Sequence, residues 1–236
     1  MAPEVSEAAL DDRLPPALLV LTGVTGLVDA VSFLGLGHIF TANMTGNVVF
    51  LGFAAAGVPG LSVSRSSTSL VAFLAGAALG GRLRVAMAGV SRRRWLLTFA
   101  LAEAGLLFAA ALVSIGFDIE SAAPSSRLHA VIVLTAVAMG LRNATARRLA
   151  VSDLTTTVLT LTLTDLAADS ALAGGSNLRI GRRATSVVLM FAGAAIGALL
   201  LRTGLALPLV VSGACVLAAI VAYAAVPGVG TSGRAP

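Results

Sequence analysis

The chain has 236 residues, 57% of them hydrophobic and 11% charged, with a mean hydropathy of +0.96. Soluble domains are nearer 45–50% apolar and about 25% charged, so a water-soluble globular fold is excluded: this chain could not clothe its own core. All 16 basic residues are arginine, set against 11 acids for a net charge of +5; they cluster between apolar segments, as in cytoplasmic loops, and not along one helix face, which argues against nucleic-acid binding.

Residues 1–14 carry Glu4, Glu7, Asp11 and Asp12, the wrong sign for a signal peptide, and read as a disordered cytoplasmic tail. A helix needs about 20 apolar residues to cross a bilayer, and eight segments approach that. The first, 15–37, holds Asp29, with His38 in the turn after it. The second, 44–58, is short and ends at Pro59. The third, 69–86, is rich in small residues. The fourth, 95–117, starts at Trp95 beside Arg92 to Arg94, placed as an interfacial anchor, and contains Glu103. The fifth, 128–146, carries Arg142 and Asn143. The sixth, 154–172, is threonine-rich and includes Asp165 and Asp169. The seventh and eighth are 184–201 and 205–226, the last holding the lone Cys215. Residues 227–236 read as a second disordered tail, so one transmembrane domain is expected over 15–226.

The segments come in two sets of four. TSLVAFLAGAALG at 68–80 and TSVVLMFAGAAIG at 185–197 agree at eight of thirteen positions. Gly26, Asp29 and Ala30 align with Gly140, Asn143 and Ala144 at an offset of 114, and Asn43, Thr45 and Asn47 with Asp153, Thr155 and Thr157 at 110. Repeat 1 therefore spans about 15–117 and repeat 2 about 128–226. Equivalent links carry opposite arginine bias, so the positive-inside rule sets the copies upside down to one another. Inversion requires an odd number of crossings per half. With six crossings and both termini cytoplasmic, 13 of the 16 arginines fall inside; with eight the split is 9 to 7. The expected fold is all-α and polytopic, two inverted repeats with six spanning helices and two short inserted ones; eight spans are the alternative.

Candidate functional groups lie on the short helices and inside the spans. Asn43 and Asp153 are N-cap types, followed by Thr45, Asn47, Thr155 and Thr157; together these six are the candidate substrate-binding residues, because helix starts offer free N–H groups to anions. Capping of ordinary helices at the membrane surface is the equally weighted alternative. Asp29, Arg142, Asn143 and Asp165 are the candidates for ion coupling or gating, with Asp29 expected to pair with Arg142, since ionisable groups within spans often mark ion paths. Gly76, Gly80, Gly193 and Gly197 form two small-xxx-small faces for helix packing. No Ser-His-Asp arrangement, GxSxG, HExxH, P-loop or CxxC is present, so neither catalysis, a metal nor a cofactor is expected.

The run GLVDAVSFLGLGHIFTANMTGNVVFLG at 26–52 and the run GLRNATARRLAVSDLTTTVLTLT at 140–162 resemble the YoaK-like family of bacterial integral membrane proteins, a domain of unknown function. Asp29, Ala30, Met44 to Asn47, Asn143 and Ala144 match the family pattern directly; Thr156 stands where the repeated Thr-Gly element would have glycine. The resemblance implies the fold and a bacterial cytoplasmic membrane but no activity. A small-solute secondary transporter or permease is the expected function, with lipids, a solute and a proton as partners and a homo-oligomer left open. A non-transporting scaffold or assembly partner is the alternative.

Overall fold

The computed structural model describes residues 14–121, 123–149, 159–175 and 180–224; the two terminal tails expected to be disordered lie outside them, Leu14 excepted. The described residues form α1 (Leu14–Ala30, continued by a π-helical turn, Val31–Gly35), α2 (Met44–Ala55), α3 (Val63–Ala86), α4 (Arg92–Val113) and α5 (Ser125–Leu149). Beyond these come α6 (Leu159–Ala168), α7 (Ile180–Leu200) and α8 (Ala206–Ala224). Among these residues there is no named strand, only an isolated bridge between Asp118 and Ala123. Six helices are long and apolar enough to cross a membrane, and the chain is an all-α polytopic membrane protein. At 12 residues, α2 is about 18 Å long, well short of a hydrocarbon core of about 30 Å; α6, at 10 residues, is shorter still.

Local chemistry sets the breaks. The side chain of Asn43 accepts the Gly46 N–H at 3.3 Å and starts α2, and Ser62 accepts the Arg65 N–H at 3.3 Å and starts α3. Between them Gly57 and Gly60, at φ of 82° and 83°, turn the chain around Pro59 in a conformation that suits glycine.

Lipid tails supply no hydrophobic force between helices, so close packing at small residues must do it. Gly76 lies against the Val137 backbone and Gly80 against Leu141 and Ala144, so α3 and α5 run side by side in the same direction. Gly193 lies against Gly23 and Gly197 against Leu27 and Ala30, so α1 and α7 do likewise. Gly26 abuts Met190 and Ala194 of α7, and Gly140 abuts Phe73 and Ala77 of α3. The same set of contacts thus occurs twice, once from each half. Burial follows suit: 67% and 56% for the spans of α1 and α5, 22% and 17% for those of α3 and α7, 44% and 39% for those of α4 and α8. Central helices match central ones and rim helices match rim ones. Val71, Leu112, Val188 and Phe191 are exposed on the outside, where a bilayer would cover them. Trp95, expected as an interfacial anchor, instead packs inward against Phe99 with ring centroids 5.0 Å apart.

Candidate functional site

After α1 the chain turns at Gly37 and His38, with φ of 84° and 58°, the second being uncommon for a residue with a Cβ. Residues 39–43 then return into the bundle: Ile39, Thr41 and Ala42 are buried. Irregular backbone at this depth needs internal partners, since lipid offers none. Asn47 provides them. Its Oδ1 accepts the Phe40 N–H at 2.8 Å and its Nδ2 donates to the Phe40 carbonyl, much as a neighbouring strand would. Ser69 on α3 donates to the same carbonyl at 2.6 Å and accepts from Asn47 Nδ2 at 3.1 Å. Phe40 stacks between Phe33 and Phe50, with centroid separations of 5.3 and 5.8 Å. Because Asn47 and Phe50 lie one and two turns into α2 yet meet Phe40 and Phe33, α2 runs back toward the end of α1. The segment and α2 form a re-entrant hairpin.

This hairpin brings the Ala42 backbone, just before α2, near the Asp29 carboxylate. Asp29 Oδ1 is buried without a hydrogen-bond partner among the described residues. The expected ion pair between Asp29 and Arg142 is not what forms. Arg142 donates through Nε to Glu103 Oε1 at 2.6 Å and through Nη2 to the same oxygen. Its Nη1 is held by the Leu21 carbonyl at 3.1 Å and Thr25 Oγ1 at 3.0 Å. Arg142 and Glu103 are 3% and 5% exposed. Glu103 wins because α4 and α5 are packed neighbours that set both side chains in one buried layer; Asp29, one turn beyond Thr25 on α1, still feels the Arg142 charge. A cavity of about 30 Å³, walled by Leu14, Leu18 and Phe99, adjoins the pair.

The candidate substrate residues separate. Asn43 and Thr45 are exposed and Asn47 is buried, so the idea that Asn47 presents its amide to a ligand is corrected: both ends of that amide are engaged within the protein. Asp153, Thr155 and Thr157 lie outside the described residues. Asn143 donates to the Met139 carbonyl one turn back in its own helix at 2.8 Å. Asp165, expected to couple ions, is bridged at 3.5 Å by Arg183, which also holds Asp169 at 2.7 Å. Sequence reading passed over Ser69 and Thr41 and did not single out Arg142 as the partner of Glu103. Ser69 had a signal, since the Thr-Ser pair at 68–69 is repeated at 185–186; the other two become visible only when separate helices are placed together.

Over residues 17–223 the chain matches the family model described as a protein of unknown function, DUF1275, and it belongs to that family. It is 38% identical over 154 residues to the UPF0700 transmembrane protein YoaK of Bacillus subtilis strain 168, a match covering 65% of this chain. The matched part spans 64% of the length of that curated relative. No solved structure matches.

Proposed function

We propose that this member of the DUF1275 family is a secondary transporter or permease for a small solute, built from two inverted repeats. It would lie in a bacterial cytoplasmic membrane with both termini inside. The observation that carries the reading is the re-entrant hairpin, which brings irregular backbone and the start of a half-length helix near the half-buried Asp29, whose Oδ1 is shielded from solvent. Transporters place substrate and coupling-ion sites at such broken segments near the midplane. The inversion is supported by helix direction. Arg65 near the start of α3 lies against Gly37 beyond the end of α1, so those two helices oppose one another. Since α5 runs with α3 and α7 with α1, each helix opposes its own duplicate.

The solute would enter beside Asn43 and Thr45, which are exposed at the start of α2, with Asp153, Thr155 and Thr157 as their counterparts in the second half. Asp29 serves coupling, while Arg142 bound to Glu103 ties α4 and α5 to α1. The rival scaffold reading fits the glycine-rich faces and the sparse polar inventory, but Gly76, Gly80, Gly193 and Gly197 all pack within the chain. A thermal-shift screen of purified protein against a metabolite panel at two pH values identifies the solute, and uptake into liposomes tests it. Uptake that survives both Asp29→Asn and Thr45→Val overturns the site. Inaccessibility of Thr45→Cys to aqueous thiol reagents, with no ligand found, overturns transport in favour of a scaffold.

A further inference from the structure

The ion pair between Arg142 and Glu103 is lopsided. An arginine and a carboxylate frequently meet through two parallel bonds, one to each oxygen. Here Arg142 Nε and Nη2 both donate to Oε1. That leaves Glu103 Oε2 with no hydrogen-bond partner among the described residues. Nη1 donates to the Leu21 carbonyl and Thr25 Oγ1, so of the five guanidinium N–H groups one, on Nη2, is also unused.

Both residues line the cavity of about 30 Å³, together with Thr145. About 10–15 Å³ of such space admits a water, which needs two to four polar partners. Glu103 Oε2 can accept from it and Arg142 Nη2 can donate to it. The Thr145 hydroxyl, which donates to the Leu141 carbonyl at 3.0 Å, keeps a lone pair for it. The rest of the wall is apolar and includes Leu14, Leu96, Ala146 and Ile220. These stand near the starts of α1 and α4 and the ends of α5 and α8, the side that carries Arg92 to Arg94 and Arg147. Glu103 lies about 16 Å along α4 from Arg92, halfway through a hydrocarbon core of about 30 Å.

We infer that Glu103 is a proton-binding site, supplied from that side of the membrane by water in this cavity, and that the bound proton loosens the two halves of the chain. A hydronium in the cavity passes its proton to Oε2; an O–H bond forms there and neutral water remains. The uncharged acid then holds Arg142 less firmly. That guanidinium belongs to the second repeat, whereas Glu103, Leu21 and Thr25 belong to the first. The glycine contacts occur once from each half, but this pair has no duplicate. Val28 stands at the position aligned with Arg142, and α8 carries no acid. A contact that merely held the scaffold would be expected twice, and a switch is needed only once. Ionisable groups within spans often mark proton relays. On α5 and α8, packed against α4, the other ionisable groups are Arg127, His129, Arg147, Arg148, Cys215 and Tyr223. On α1, which Arg142 reaches, Asp29 is the one such group. Among the described residues none of these lines the cavity.

Only the use of this loosening for alternating access rests on the transport reading; the proton itself is measured without any solute. Infrared spectra of the purified protein, titrated from mildly alkaline to mildly acidic buffer, should gain a carboxylic-acid band that Glu103→Gln removes and Asp29→Asn leaves. The parent and Glu103→Gln should also converge in melting temperature as the pH falls, because the proton removes from the parent the charge that the amide already lacks. If Glu103→Gln fails to fold, Glu103→Leu with Arg142→Met, an apolar pair that needs no partner, takes its place in both measurements. A band kept in the Glu103 variant and lost in Asp29→Asn assigns the proton to Asp29 and overturns the inference. A melting gap that stays constant over the titration, as a permanently charged tie would give, overturns it too. A Glu103-dependent band with a closing gap, in a protein that moves no solute, upholds the proton site and removes the transport reading.

Discussion

The Glu103→Gln substitution keeps the shape of the side chain and deletes its charge, leaving Arg142 with neutral acceptors alone: the new amide oxygen, the Leu21 carbonyl and the Thr25 hydroxyl. Both members of the pair are at most 5% exposed, so solvent cannot take over the lost interaction. Removing one partner of a buried ion pair costs about 3–5 kcal/mol. For a chain of this size a kilocalorie corresponds to about 2–4 °C, so melting should fall by about 6–20 °C. Trp95, the single tryptophan, is buried on α4 two turns before Glu103 and reports unfolding by its emission. The double variant Glu103→Leu with Arg142→Met should regain most of the loss, because an apolar pair needs no desolvation. Melting of Glu103→Gln within about 2 °C of the parent, or a double variant worse than either single, would refute the claim that this pair is an essential contact between α4 and α5.

Asn47→Ala strips the Phe40 N–H of its acceptor inside the bundle, at a cost of about 1–3 kcal/mol; chemical denaturation measures it, and an unchanged midpoint contradicts the clamp. Gly193→Leu should prevent a monodisperse fold in gel filtration because its side chain meets the Gly23 backbone, whereas Gly52→Leu, with nothing within 4 Å, should be neutral. In a Cys215→Ala background, Arg93→Cys and Arg182→Cys should react with impermeant thiol reagents from one side of the membrane and Arg127→Cys from the other. Opposite labelling of the first pair defeats the inverted six-span arrangement.

Much of the architecture was legible in the residues. Apolar segments long enough to cross, two that are too short, and caps such as Asn43 at a helix start are local properties, set by hydropathy and by backbone groups needing partners within a turn. The duplicated glycines also foretold close helix approach, because only a missing side chain admits a neighbouring backbone. What tertiary structure decided was who meets whom. Arg142 could have paired with Asp29 or Glu103 on any reading of the chain, and it was the packing of α4 on α5 that chose Glu103. Asn47 read as a candidate substrate ligand on a short helix until the fold laid Phe40 against it. Such pairings join residues 7 to 121 positions apart and depend on helix rotation and depth, quantities that no single segment encodes because they arise only when the helices exclude one another's volume.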